Sequence, residues 1–250
     1  MQSTTVARSL RGSIGMLAMP WLINDDTITK AANRGLRAPG LGAYAVGRLG
    51  VLGDCPVDNV VGAAFFWEPN TMRQMVHDGR SAMSPLAGAA VYTEICQEWG
   101  AEHLAQMPGI ERLGDILSKV VDNADPRGAP LFVGWRDMPL PTKPGPARTF
   151  QLAQVMRELR FSRHVVAVQA ASMSPLAAIM TGPTGEWNAR LFGWAEPFPD
   201  VSSQAEQREA IETHTDQLHA LDLDLLSDEE RQELRTLAKA ARVYASEHPS

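Results

Sequence analysis

The stretch RELRFSRHVVAV, residues 157–168, decides how the rest of the chain is interpreted. It follows FQLAQVM, residues 150–156, whose apolar residues recur at the spacing of a core-facing helix. The middle of this helix nevertheless carries five polar side chains: Arg157, Glu158, Arg160, Arg163 and His164. Such a cluster can contact DNA, line a pocket, or lie where two helices meet. We expect two helices on either side of residues 161–163, with the polar side chains turned inward at the bend.

The remainder of the chain is predicted to be all-α. Ala, Leu, Met and Glu are abundant, and alternating runs of Val, Ile and Thr are almost absent. A Ser-Pro pair marks a helix start at Ser84 and again at Ser174, and a capping box runs from Ser227 to Glu230. Residues 110–120 place Ile, Leu, Leu and Val along one face of a further helix.

A proline-rich segment is expected to divide the chain. Four of the eight residues from 139 to 146 are proline, which excludes a helix interior. We therefore predict a helical N-terminal domain over residues 1–136, a connector over 137–147 and a second helical domain over 148–250. Three short helices followed by a loop at 193–203 give the second domain the outline of a helix-turn-helix with at most a vestigial wing.

The charge distribution bears on the choice of partner. The net charge is −6, and residues 200–250 carry twelve acids against five bases, whereas the first 199 residues carry seventeen against eighteen. Clustered Lys and Arg are needed to neutralise phosphates, so nucleic acid is disfavoured as a partner, though not excluded. Two acidic C-terminal helices leave open an interaction module that docks a basic partner, and a homodimer is also left open.

The cysteines and the N-terminus indicate the compartment. Cys55 and Cys96 form no CxxC pair and have no His at metal spacing, which excludes a disulfide framework and favours two free, buried thiols in a reducing cytosol. Gly15 and Pro20 interrupt an N-terminal apolar patch that is too short to span a bilayer. We expect a cytoplasmic protein with no membrane partner and no metal site; no cofactor is identified.

A helix expected from about Gln204 carries polar residues on one face. At spacings i, i+3, i+4 and i+7 these are Glu212, Thr215, Asp216 and His219. Ile211, Leu218 and Leu221 form the adjacent apolar stripe. The polar face is either a solvated surface or one side of a buried network. In the second case we expect a base from the opening stretch to meet Glu212 or Asp216, the candidates being Arg157, Arg160 and His164.

Arg48 is the lone charge in GAYAVGRLGVLG, residues 42–53. Its structural role would be an ion pair with a nearby acid: Asp54, Asp58 or Glu68. Its functional role would be to hold an anionic ligand. The aromatic residues and methionines of the N-terminal half are expected to form core, but they are large enough to leave an apolar cavity beside Tyr44 and Arg48.

Four segments, taken together, resemble a known family. Their matching residues are Tyr44, Gly47, Arg48, Leu52 and Gly53; Arg157, Glu158, Arg160 and His164; Gly193 and Trp194; and Ile211, Glu212, Thr215, Asp216 and Leu218. In this order and spacing they resemble an actinobacterial family of uncharacterised helical proteins, which is described as helix-turn-helix-like and is related in outline to winged-helix domains. The resemblance runs from Tyr44 to Leu218 and implies a fold, not an activity.

The chain departs from the family pattern at five positions. Where the family implies a His and a Gly-Asp-Gly turn, this chain has Leu159 and then Phe161, Ser162 and Arg163. Where the family implies an Asn, it has Phe66. These departures put in question any chemistry that the polar family residues carry.

Three functions follow as expectations. The first is a small-molecule-binding protein, with its status as an enzyme left open, whose ligand lies between the two halves. Its ligand-binding residues would be Tyr44, Arg48, Arg157, Arg160, His164, Glu212, Thr215 and Asp216. The second is a DNA-binding regulator of the winged-helix type, although the segment EWNARLFGW, residues 186–194, offers only Asn188 and Arg190 to read DNA. The third is the interaction module described above.

Overall fold

The computed structural model describes residues 1–248. These residues form α-helices joined by loops and short 3₁₀ turns, with no β-strand among them, so the expected all-α fold is confirmed. The helices are α1 (Ser3–Gly12), α2 (Ile14–Leu17), α3 (Asp25–Asn33), α4 (Gly42–Arg48), α5 (Val57–Ala64), α6 (Pro69–Ala82), α7 (Pro85–His103), α8 (Ile110–Asn123), α9 (Pro130–Arg136), α10 (Pro146–Ala170), α11 (Pro175–Met180), α12 (Gly185–Leu191), α13 (Ala205–Leu223) and α14 (Asp228–Glu247).

Helix α10 is the centre of the fold. It packs against α7, α8 and α9 and also against α13, so its first half is buried almost all round. The expected bend at residues 161–163 is wrong, because α10 is one helix of 25 residues. No Gly or Pro interrupts it after its first turn, and the Ser162 hydroxyl donates to the Glu158 carbonyl at 3.0 Å, which satisfies that polar group inside the helix.

The main apolar core contains residues from both sides of the proline-rich segment. The Trp21 ring lies edge-on to Trp135 and to Phe150, with ring centroids 6.2 Å apart in each case. Phe150 belongs to α10, whereas the two tryptophans precede residues 137–147. The division into domains at 137–147 stays a prediction, and the core is continuous across that boundary.

Close approach of α4 to α7 depends on a glycine. A Cβ added at Gly47 would lie 2.1 Å from Cδ2 of the buried Tyr92 ring. The Tyr92 hydroxyl in turn donates to the Leu22 carbonyl at 3.3 Å. A side chain at position 47 would therefore push α4 away from α7. It would also displace the face of α4 that carries Tyr44 and Arg48.

The helix starts mostly follow the sequence prediction. Ser174 accepts from the Ala177 amide at 3.1 Å, and Ser227 forms the predicted capping box with Glu230. Ser84 occupies the N-cap position of α7, but its side chain makes no capping hydrogen bond. The predicted apolar face of α8 is buried at all four positions: Ile110, Leu113, Leu117 and Val120.

The C-terminal part adds a small second core. Ala167, Val168 and Met173 pack with Ala177 and Ile211, which joins the end of α10 to α11 and α13. Residues 193–203 form turns and part of a 3₁₀ helix with no strand, in keeping with a vestigial wing at most. Within residues 1–248, no helix combines the length and the apolar character needed to cross a membrane.

Candidate functional site

Arg48 is held by a partner that the sequence did not indicate. Its Nε and Nη2 donate to the two carboxylate oxygens of Glu158, each at 2.8 Å, and its Nη1 donates to the Tyr44 hydroxyl at 2.7 Å. The expected pairing with Asp54, Asp58 or Glu68 is therefore wrong. The Arg48 and Glu158 side chains are only 2% and 0% exposed. Burial acts to lower the pKa of Arg48, but the charge of Glu158 and the hydrogen bonds to Glu158 and Tyr44 together outweigh it and raise that pKa.

Arg157 shares the same carboxylate. Its Nη1 donates to Glu158 Oε1 at 2.8 Å, and the Gln154 amide donates to that oxygen at 2.8 Å as well. Two guanidinium groups therefore face one carboxylate, which leaves an excess positive charge in a largely buried place. Burial lowers the pKa of Arg157, and the neighbouring Arg48 lowers it further against the attraction of Glu158.

A second ionic network joins α10 to α13. Arg160 Nη2 lies 3.1 Å from Glu212 Oε2 and 3.3 Å from Asp216 Oδ1, so the predicted contact between the two helices is present. Arg11 reaches Glu212 from α1 at 2.9 Å, and Arg208 contacts the same carboxylate. Burial alone would raise the pKa of Glu212, but His164 and the surrounding arginines together lower it to about 2. The acidic face of α13 is thus a buried, paired surface and not a solvated one.

The hydrogen bonds of His164 fix its tautomer. The Thr215 hydroxyl donates its only proton to the Ile211 carbonyl at 2.8 Å, so it accepts from His164 Nδ1 at 2.9 Å. His164 therefore carries its proton on Nδ1 and presents the lone pair of Nε2. Desolvation lowers the pKa of His164 to about 4, with the nearby Arg208 and Arg160 acting in the same direction.

His219 is oriented in a similar way by an acid. Its Nδ1 lies 3.2 Å from Asp222 Oδ2, and Arg163 holds Asp222 through contacts of 3.0 and 2.7 Å. A carboxylate can only accept, so Nδ1 of His219 carries the proton and Nε2 does not. Burial lowers the pKa of His219 although Asp222 acts to raise it, and the ring is neutral at pH 7.

A mostly apolar cavity of about 340 Å³ lies beside Arg48 and Tyr44. We call it the apolar chamber, and its walls are Met19, Pro20, Leu22, Ile23, Tyr44, Arg48, Ala64, Phe66, Trp67, Arg157, Phe161, Trp187, Asn188, Leu191 and Phe192. Residues of α12 form one side of it, where Trp187 is 63% exposed. The loop that follows α5 is joined to the residues that follow α12 by two hydrogen bonds of 2.9 Å, from the Glu68 amide to the Phe192 carbonyl and from Trp194 Nε1 to the Phe66 carbonyl.

A second cavity, of about 210 Å³, adjoins the first. We call it the polar chamber, and it is lined by Leu10, Arg11, Ile14, Gly15, Met16, Met19, Met156, Arg157, Arg160, Phe161, His164 and His219. Met19, Arg157 and Phe161 line both chambers, so these three residues form the junction between them. The guanidinium of Arg48 lies 5.0 Å from the centre of the Phe161 ring, which fixes that ring at the junction.

The predicted site residues fall into two groups. Tyr44, Arg48 and Arg157 surround Glu158 at the apolar chamber, whereas Arg160 and His164 meet Glu212, Asp216 and Thr215 beside the polar chamber. Arg157 does not reach Glu212 or Asp216, because Glu158 holds it. The expected apolar stripe on α13 is wrong at Leu221, which is 68% exposed.

Sequence reasoning missed several residues of the site. It placed His219 on the correct face but did not include it among the ligand-binding residues, and it overlooked Asp222, which lies one helical turn further along α13. It also missed Trp187 and Leu191, since a cavity wall leaves no periodic signal. The spacing of three residues between His219 and Asp222 could have identified that pair.

Each of the five residues that depart from the family pattern makes a definite contact in the structure. Leu159 is core, Ser162 bonds within its own helix, and Arg163 binds Asp222. Phe161 lines both chambers, and Phe66 lines the apolar chamber with its ring 5.7 Å from that of His164. The two phenylalanines therefore make the walls of the site more apolar.

Metal and thiol chemistry receive little support from the geometry. In the described part of the chain, no three His, Cys, Asp or Glu side chains are grouped so that they could hold a metal ion. Cys96 is buried and Cys55 is half-buried, and both thiols are free, so the prediction that both would be buried is wrong for Cys55.

The comparisons with known proteins identify the family. A family model described as a helix-turn-helix family matches residues 7–247. Neither the search of curated proteins nor the search of solved structures found a match. The family match spans nearly the whole chain and agrees with the resemblance in the sequence and with the all-helical fold. The chain therefore belongs to this helix-turn-helix family.

Proposed function

We propose that this protein binds a small, mainly apolar molecule in the apolar chamber. The observation that carries the proposal is the cavity of about 340 Å³ whose apolar and aromatic walls surround the polar groups of Tyr44, Arg48 and Arg157. Small-molecule sites are typically cavities of roughly 300–1,000 Å³ with mostly apolar walls and a few converging polar groups.

The backbone around the chamber supports this proposal. Phe65 adopts φ 41°, a positive value that is costly for a residue with a bulky side chain. This conformation directs the chain into Phe66 and Trp67, and both of those side chains line the chamber. Strained residues of this kind tend to occur where a site must be held in one geometry.

DNA binding is the second candidate, and the family membership favours it. The segment in the position of a recognition helix is α12, which has seven residues. Its one arginine, Arg190, is paired with Glu186 and Glu196 at 2.8 and 2.7 Å. A helix whose only cation is already neutralised offers little attraction to phosphates, so small-molecule binding is preferred.

The interaction module has less support. It required an acidic surface on the last two helices, but Glu212 and Asp216 are buried and paired with arginines. Glu230 and Glu233 of α14 are likewise paired with Lys119 and Arg112 of α8. A basic partner would have to displace these intramolecular contacts.

A thermal-shift screen with a matched pair of variants tests the proposal. The wild type is screened against small apolar and amphiphilic compounds, with random duplex DNA included at two salt concentrations. Leu191→Trp places an indole in the chamber from α12, and Leu86→Trp makes the same change at an exposed site of α7. We expect compounds that raise the Tm of the wild type and of Leu86→Trp but not that of Leu191→Trp.

Two results would overturn the proposal. The first is a screen in which no compound raises the Tm. The second is a set of compounds that stabilise Leu191→Trp as strongly as the wild type, which would put the binding elsewhere. Stabilisation by DNA that weakens steeply with salt would instead support the second candidate.

A further inference from the structure

We infer that the ligand is an amphiphilic monoanion, whose apolar body occupies the apolar chamber and whose oxyanion head group binds Arg157 at the junction with the polar chamber. This inference rests on the proposed function and specifies the chemical class of its ligand. It follows from the charges, the unused hydrogen-bond donors and the shape of the two chambers.

The buried charges around Glu158 do not balance. Arg48 and Arg157 both bind this carboxylate, so two positive charges face one negative charge. A buried charge is costly unless it is matched by an opposite charge and by hydrogen bonds. A single anionic head group beside Arg157 would supply the missing charge, whereas a neutral ligand would leave the excess in place.

Hydrogen-bond donors without acceptors belong to residues that line the two chambers on either side of Arg157. Arg157 uses only Nη1 in hydrogen bonds with the described residues, which leaves Nε and Nη2 available. The Tyr44 hydroxyl accepts from Arg48 and donates to no acceptor in residues 1–248. Arg160 Nε is buried without a hydrogen-bond partner and belongs to a residue of the polar chamber. An oxyanion accepts several such hydrogen bonds, and a guanidinium binds it in a fork geometry.

The imidazoles limit how far the head group can enter the polar chamber. His164 and His219 present the unprotonated Nε2, because each donates through Nδ1 to Thr215 or Asp222. A lone pair repels an oxyanion, so the part of the polar chamber beside these two rings is unfavourable for it. The head group is therefore expected to stay at the junction, next to Arg157.

The apolar chamber accommodates the rest of the ligand. Its aromatic walls include Phe66, Trp67, Phe161 and Phe192, which suit a flat ring system. Phe161 and Arg157 line both chambers, so a ligand whose body lies among these rings can place its head group on Arg157 without passing through solvent.

Calorimetric titration of three matched probes tests the inference. The probes are naphthylacetate, naphthylethanol and naphthylmethyl phosphate, which share the ring system and differ in the head group. We expect the wild type to bind naphthylacetate at least about tenfold more tightly than the alcohol, since hydrogen bonds to charged groups are the stronger ones. Arg157→Met should remove this preference and still bind the alcohol. Arg127→Met, at an exposed arginine, should behave as the wild type does.

The outcomes separate the inference from the proposed function. Equal affinity of the wild type for the acid and the alcohol would overturn the inference that the ligand is an anion. The apolar chamber would then be a binding site for neutral ligands. Binding of none of the three probes would overturn the inference, and an empty screen would then overturn the proposed function too. Tighter binding of the phosphate than of the carboxylate would overturn the single charge assigned to the head group, because a phosphate monoester carries a charge of about −1.5 to −2 at pH 7. If Arg157→Met does not fold, Arg157→Lys should retain a weaker preference for the acid, because it keeps the charge but loses the fork.

Discussion

Arg48 and Glu158 are 110 positions apart in the sequence and form a buried ion pair with two hydrogen bonds of 2.8 Å. The pair fastens α4 to the middle of α10, where the two chambers meet. Because Arg157 binds the same carboxylate, the two members of the pair are not equivalent: loss of Glu158 leaves two buried cations, whereas loss of Arg48 leaves Glu158 with Arg157 and Gln154.

Glu158→Gln should therefore destabilise the protein more than Arg48→Met does. Breaking a buried pair by removing one partner typically costs about 3–5 kcal/mol of the free energy of unfolding. We expect Glu158→Gln in that range and Arg48→Met below it, as measured by urea denaturation. Glu111→Gln, at an exposed glutamate of α8, should change the free energy by about 0.5 kcal/mol at most. Equal losses for the two buried variants would show that Arg157 does not compensate.

His164 should make the protein less stable as the pH falls. Its pKa is about 4 in the folded protein against an ordinary value of 6.5, so between these values the unfolded chain binds a proton that the folded protein does not. The free energy of unfolding therefore decreases as the pH falls from 6.5 to 4 and levels off below the folded pKa. The full effect is at most about 3 kcal/mol, because the ring is partly exposed.

A comparison with His164→Asn isolates this effect. Asn keeps an N–H donor for Thr215 but does not titrate. The pKa of Glu212, which His164 helps to lower to about 2, also changes in the variant, but it lies below the pH range compared. When the pH falls from 7 to 4.5, the wild type should lose more unfolding free energy than the variant does. Urea denaturation at each pH measures both values. A difference that does not change with pH would mean that His164 is protonated as easily in the folded as in the unfolded protein.

Substitution of alanine for two glycines, Gly47 and Gly62, should change the stability of the protein in opposite directions. A Cβ at Gly47 would lie 2.1 Å from the Tyr92 ring, so Gly47→Ala should lower the Tm and destabilise the fold by about 1–3 kcal/mol or more. Gly62 lies in α5 with open space around it, so Gly62→Ala should raise the stability by about 0.5–1 kcal/mol. Thermal unfolding measures both, and a loss of Tm at Gly62→Ala would contradict the packing described for α5.

The two cysteines should differ in reactivity. Cys96 is fully buried, and burial raises the pKa of its thiol well above the usual value, so it should not react with a thiol reagent in the native protein. Cys55 is half-buried and should react first. Titration with such a reagent should give one thiol or fewer before unfolding and two after it. Cys55→Ser should abolish the native reaction, and a native reaction that persists would place Cys96 within reach of solvent.

The sequence was sufficient for the helices and for one contact between them. Ser174, Ser227 and the apolar face of α8 follow rules that act over a few residues, and the structure confirms them. The contact of Arg160 with Glu212 and Asp216 was predictable because their polar faces are complementary. The uninterrupted course of α10 was not, since a run of charges resembles a helix end although nothing in Phe161, Ser162 or Arg163 breaks a helix.

The chambers could not be predicted from the same patterns. Glu158 was an unexpected partner for Arg48 because an ion pair across 110 residues depends on how the tertiary fold brings their side chains together. A cavity arises from the volumes left between packed side chains, and neither Trp187 nor Leu191 signals in sequence that it borders one. The excess positive charge at Arg157 can be recognised only when the positions of Arg48, Arg157 and Glu158 are all known.

The placement of two indoles on the apolar chamber gives the protein an optical probe of its own. Trp187 is 63% exposed and Trp67 only 5% exposed, yet both line the same cavity. An occupant that covers Trp187 would shift its emission to shorter wavelength and shield it from acrylamide, while Trp67 would respond mainly by contact quenching. Occupancy of the chamber can thus be followed by intrinsic fluorescence without a label, with Trp187→Phe identifying the share of the signal that comes from α12.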